Sequence, residues 1–117
     1  MKRKYIKTVA KVWGKEEWIV NENYCGKILT VNEGCMCSLH SHPQKAETFF
    51  VKNGCGKIEL GAEVIRIVEG DIVDIKPNTF HRFSTDNVQG LVLIEFSTRH
   101  EENDVVRKEA SHAKPKR

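Results

Sequence analysis

Nothing in this 117-residue sequence approaches the roughly 20 consecutive apolar residues that a membrane-crossing helix needs. The basic start, Lys2-Arg3-Lys4, is not followed by an apolar stretch of about 7–15 residues, so a secretory signal is not expected. An excess of one charge is also missing. Lysine and arginine number 19 against 16 aspartates and glutamates, a formal net charge of +3. Apart from the two ends the basic residues are scattered, so nucleic acid is not expected as a partner. Cysteine pairs at zinc-site spacing are lacking. Cys35-Met36-Cys37 has no second pair, and Cys25 and Cys55 stand apart. Without an export signal these thiols are expected to be reduced, in a cytoplasmic protein, as small hydrophobes on strands. A clean 3.6-residue apolar period is absent as well; residues 101–110 form the single candidate helix, short and highly charged.

What is present is a series of short Val-, Ile- and aromatic-rich runs with Gly, Asn and Pro between them. They predict strands at 17–20, 24–31, 38–42, 48–52, 57–60, 63–68, 71–75, 81–84 and 91–97. Asn21-Glu22-Asn23, Asn53-Gly54, Gly61-Ala62 and Glu69-Gly70-Asp71 read as turns. Many short strands at regular spacing imply an all-β sandwich or barrel. The length suits one domain, with residues 1–110 as its body and 111–117 as a disordered tail.

The chemistry concentrates in one window, Gly34-x5-His40-x-His42-x4-Glu47-x6-Gly54. Two imidazoles and a carboxylate are all metal-ligand types. On a strand, residues two apart face the same side, about 6.5–7 Å apart along it, so His40 and His42 can share an ion. On a helix that spacing would not face one point. Pro43-Gln44 breaks the strand, and alternation through Glu47, Phe49 and Val51 turns the carboxylate inward. His81, after Pro77-Asn78-Thr79, is a fourth candidate ligand. Four such donors leave one or two positions open on an ion, as catalysis requires. His100 and His112 read as surface residues.

The window resembles the first motif of the cupin superfamily, in both glycines and all three ligand positions. The stretch from Gly70 through Pro77 to His81 resembles its second motif, with Thr79 where a glycine is usual and a Pro-to-His gap one residue shorter. The resemblance implies a single-domain cupin-like jelly-roll barrel with one divalent ion inside (Zn, Mn, Fe, Co or Ni). A narrower likeness runs along the chain. Trp13-Gly14, Glu17-Trp18, Lys27-Ile28-Leu29, Lys45-Ala46-Glu47, Ile94-Glu95-Phe96 and Glu102-Asn103-Asp104-Val105-Val106-Arg107 are similar to segments of cupin-type mannose-6-phosphate isomerases. Many of those proteins carry Gln at the position of His40. The Gly-rich nucleotide loop of their nucleotidyltransferase-fused members has no counterpart here, so sugar-nucleotide synthesis is not implied.

The narrower resemblance implies aldose–ketose isomerisation of a sugar or sugar phosphate, in a homodimer. Glu95, Lys57 and Glu59 are the candidate proton carriers. Lys45, Arg82 and Arg107 are candidate phosphate anchors, and Trp13 and Trp18 candidate walls of the sugar site. Two other classes fit the ligand set: a non-catalytic metal- or small-ligand-binding cupin, and an iron-dependent dioxygenase.

Overall fold

The computed structural model describes residues 1–113. It contains eleven strands: β1 (Lys7–Lys11), β2 (Gly14–Asn21), β3 (Tyr24–Val31), β4 (Cys35–Met36), β5 (Leu39–Ser41), β6 (Glu47–Leu60), β7 (Glu63–Val68), β8 (Ile72–Ile75), β9 (His81–Thr85), β10 (Leu91–Thr98) and β11 (Val106–Glu109). Every strand pairing is antiparallel. The order is β1-β2-β3-β10-β6-β9-β5-β11, with β4 on β9 and both β7 and β8 on β6. The sheet curls into a jelly-roll barrel, the double-stranded β-helix expected from the sequence. Among the described residues no helix is long and apolar enough to cross a membrane.

β6 turns the corner between the barrel's two faces. Its first half pairs with β10 and β8, its second with β7 and β9. Asn53-Gly54, expected as a hairpin turn, is therefore the corner inside one 14-residue strand. Two local features make the corner. Val51 pairs with Leu93 and Asn53 with Val92, so Lys52 is the extra residue of a bulge. Gly54 has φ +78°, and a Cβ there would lie 2.1 Å from the Gly90 carbonyl oxygen. Left-handed backbone and close approach both favour glycine.

The bulge reverses the inside–outside alternation. Glu47, Phe49 and Val51 are buried before it, and Ile58 is buried after it. Phe49, Val51, Ile58, Leu91, Leu93, Val31 and Ile67 fill the core, with the Phe49 and Phe83 rings edge-on at 4.8 Å.

The candidate helix at 101–110 is not helical. Residues 102–104 turn, and β11 then pairs with β5. The β-branched pair Val105-Val106 suits a strand, and the tertiary anchors of Asp104 described below override the weak local preference. β1 and β4 were not expected. Beyond β11, His112 exchanges two backbone hydrogen bonds with Met36, both 2.9 Å. Residues 114–117 of the expected tail lie outside the described residues.

Candidate functional site

The barrel's open end holds a cavity of about 240 Å³. Its wall carries His40, at the centre of β5, His42 just after that strand, Glu47 at the head of β6, His81 at the head of β9 and Glu95 on β10. One ring nitrogen from each of His40, His42 and His81 lies within 4.8 Å of the other two.

The second ring nitrogens explain the orientation. His40 Nδ1 is 2.8 Å from the Ser38 carbonyl, His81 Nδ1 is 2.8 Å from the Thr79 carbonyl, and His42 Nδ1 is 2.7 Å from the Asp104 carbonyl. A carbonyl oxygen can only accept, so each Nδ1 carries the proton and donates. In the neutral ring Nε2 is then a bare lone pair. Burial, reinforced by His81, pushes His40 down to about 3, and burial likewise lowers His42. Both rings are neutral at ordinary pH.

Glu47 meets this cluster with Oε1, 3.2 Å from His81 Nε2 and 3.6 Å from His42 Nε2. The distances are short, yet Oε1 accepts no hydrogen bond. Committed Nδ1–H tautomers account for this, because Nε2 then has no proton to give. Burial pushes the Glu47 carboxyl up, but the Lys45 ammonium pulls it down, and it stays below the usual carboxylate range. Lone pairs therefore converge with an orphaned carboxylate oxygen. That arrangement suits a divalent ion, with each imidazole oriented through its other nitrogen.

Lys45 is buried rather than available as a free phosphate anchor. Its Nζ is 3.2 Å from Glu47 Oε2, 3.3 Å from Glu95 Oε2 and 3.1 Å from His100 Nδ1. The ammonium hydrogen-bonds Glu95 and His100 and forms an ion pair with Glu47. Burial alone would lower the Lys45 pKa, but Glu95 and Glu47 outweigh it and the pKa is raised. The contact also sets His100 as the Nε2–H tautomer. Burial, then Lys27 and Lys45, lower His100 to about 4. His100 is thus a half-buried, neutral residue of the cavity wall, where the sequence suggested a surface position. Glu95 Oε2 also accepts the Ser97 hydroxyl at 2.8 Å. Its Oε1 takes no hydrogen bond among the described residues.

Trp13, Trp18 and Arg107 line the same cavity, Arg107 from exposed β11. Lys57, Glu59 and Arg82 do not. Lys57 is exposed beside a separate depression. Arg82 points away from His81 along β9 and bonds Glu59 at 2.7 Å and Glu109 at 3.0 Å. Simple alternation from Glu47 would have brought residues 57 and 59 inward, and the Lys52 bulge turns them out. Sequence reading missed Glu16, Lys27 and the structural part of Asp104. The Asp104 carboxylate accepts the Gln44 and Lys45 amides at 2.9 and 3.0 Å, which ties the β5–β6 loop to the segment that orients His42. The Glu-Asn-Asp-Val-Val-Arg likeness was the one sequence signal for it.

A curled barrel of this topology, with a histidine cluster at its open end, defines a cupin domain. Within that class the chain belongs to the mannose-6-phosphate isomerase C-terminal family, whose model matches residues 1–110. It is 28% identical over 109 residues to the xanthan biosynthesis protein XanB of Xanthomonas campestris, covering 91% of this chain and 23% of XanB. The chain thus spans less than a quarter of that curated relative. The capsular polysaccharide assembling protein CapF from Staphylococcus aureus has a similar fold, with TM-score 0.73, 16% identity, 92% of this chain and 34% of CapF covered. So does KdgF from Halomonas sp., with TM-score 0.67, 21% identity, 74% of this chain and 81% of KdgF covered.

Proposed function

We propose that His40, His42, Glu47 and His81 hold one divalent ion, and that the chain isomerises a sugar or sugar phosphate between aldose and ketose. The observation that carries this reading is the orphaned Glu47 Oε1 among histidines whose Nδ1 atoms are already committed. Family membership and a relative named for xanthan biosynthesis support a carbohydrate substrate. When bound, the ion would polarise adjacent carbonyl and hydroxyl oxygens and offset their developing charge.

The chain's own groups do the rest. Glu95 takes a proton through Oε1 from the carbon beside the carbonyl and returns it to the neighbouring carbon. Lys45 and Ser97 hold Oε2, so the carboxylate cannot swing away from the cavity. Lys45 also sets its ammonium between Glu47 and Glu95. His100 offers Nε2–H to a substrate oxygen, and Trp13 walls the cavity against water. Lys57, Glu59 and Arg82 take no part in the chemistry.

The test is solvent deuterium incorporation next to the carbonyl, across free and phosphorylated aldoses and ketoses. Label should appear with metal-loaded protein and vanish with chelator or in His42→Ala, which should also lose the ion by mass spectrometry. No exchange with any sugar would favour a non-catalytic binding domain, and oxygen uptake with iron would favour a dioxygenase. The chain is also expected to dimerise, since Val64, Val68 and Ile72 are exposed on β7 and β8, which among the described residues pair only with β6. A monomer at micromolar concentration in sedimentation equilibrium would contradict this.

A further inference from the structure

Lys27 occupies a place where an aliphatic residue would be expected. β3 buries Cys25, Lys27, Leu29 and Val31 by alternation, and Lys27 is only 2% exposed. Its side chain lines the cavity, among the largest fully buried side chains of the protein. Burying an ammonium carries a desolvation penalty unless its donors are met.

Here the donors meet no acceptor among the described residues and open onto the cavity. Lys27 Nζ lies 3.7 Å from Glu16 Oε1, beyond hydrogen-bond reach, and that oxygen already accepts the Trp18 indole N–H at 3.0 Å. Nζ sits 3.8 Å from the Trp18 ring centroid, a cation–π contact that uses the charge but directs no N–H to an acceptor. Among the described residues Nζ makes no hydrogen bond. The contrast with Lys45, which hydrogen-bonds Glu95 and His100 and pairs with Glu47, is chemical rather than positional, because both side chains are buried in one cavity wall.

The local charge says what is missing. Lys7 stands 4.2 Å from the same Trp18 ring, and Lys11 lies 4.0 Å from Glu16 Oε2. Lys11 and Lys27 therefore share one carboxylate, Glu16, which also takes the indole N–H, while Lys7 meets only the ring face. A neutral hydroxyl would leave this excess in place. An anionic oxygen group would balance it and fill the open donors.

We propose that Lys27 is an anion anchor, with Lys7 and Lys11 at its rim, and that it seats a phosphate monoester or carboxylate on the substrate at the β1–β2–β3 wall, opposite in role to the histidine end. This rests on the carbohydrate reading for the ligand's body. It moves the anion site away from Lys45 and Arg82, both of which are occupied by carboxylates.

Non-isomerisable probes separate this from turnover. Calorimetric binding of glucitol 6-phosphate, gluconate and glucitol is measured with wild type and Lys27→Met. Wild type should bind at least one anionic probe 30-fold or more tighter than glucitol, and which probe that is separates phosphate from carboxylate. Lys27→Met should erase at least 30-fold of that affinity and change glucitol binding less than twofold. Its ion content should stay unchanged. Lys27→Gln repeats the measurement if the Met variant fails to fold. Equal binding of charged and neutral probes, no binding of any, or an equal loss for both kinds in the variant overturns the proposal. Absent deuterium exchange would sink the isomerase reading and leave these binding results standing.

Discussion

Two clusters in this barrel share one composition: a buried cation bracketed by two glutamates. In one, Lys45 bridges Glu47 and Glu95, whose side chains are 3% and 4% exposed. In the other, Arg82 bridges Glu59 and Glu109, whose side chains are 34% and 54% exposed. Water can solvate the second pair of carboxylates if Arg82 is lost. It reaches the first pair far less, only through the cavity. Burial of the partners, not the presence of an ion pair, separates a cluster that tunes a cavity from one that fastens β11 to the barrel.

The largest expected separation is chemical. Glu95→Gln should lower deuterium exchange by about 10²–10⁴-fold, the usual range for a lost general base. Glu59→Gln should leave exchange within a factor of two, and a large effect there would break the contrast. Next comes stability. In chelator, Lys45→Met should cost about 3–5 kcal/mol, because two buried carboxylates lose their counter-charge. Arg82→Met should cost about 1 kcal/mol by the same denaturant titration, since its partners are water-accessible. Equal losses would show that partner burial is not the deciding variable.

The smallest expected effect is in pH dependence. His100 titrates at about 4 in the fold against an ordinary 6.5. Between these values the unfolded chain binds the proton and the folded one does not, so stability falls as pH drops from about 6.5 to about 4. His100→Asn should flatten that slope by up to one proton, and Arg82→Met should leave it unchanged. At the alkaline end the raised Lys45 pKa works oppositely: its contribution is present below 10.5 and lost as pH rises through the folded value.

Spacing made the cluster of His40, His42, Glu47 and His81 legible, because side chains on strands obey short-range geometry. Alternation and turn residues made the barrel legible for the same reason. The errors share a different cause. Asn53-Gly54 has the composition of a hairpin turn, and only pairing with β10 shows that a single extra residue at Lys52 bends the strand instead. The misplacement of Lys57 and Glu59 follows from that one residue. His100 and Asp104 owe their environments to chain segments far away in sequence: Lys45 is 55 positions from His100, and Gln44 is 60 from Asp104. No local pattern encodes such contacts.

The three imidazoles differ in how far they reach for the carbonyl that aims them. Ser38 and Thr79 each lie two positions before their own histidine, whereas Asp104 lies 62 positions from His42. His40 and His81 are thus aimed by their own loops, even in a chain that has come partly undone. His42 acquires its bearing only when the 101–109 segment docks. A transient peeling of that segment, short of global opening, would demote the centre to two well-aimed rings and a carboxylate. Release of the proposed ion would then proceed through this local breathing, and amide hydrogen exchange in β11 should slow when an ion is added.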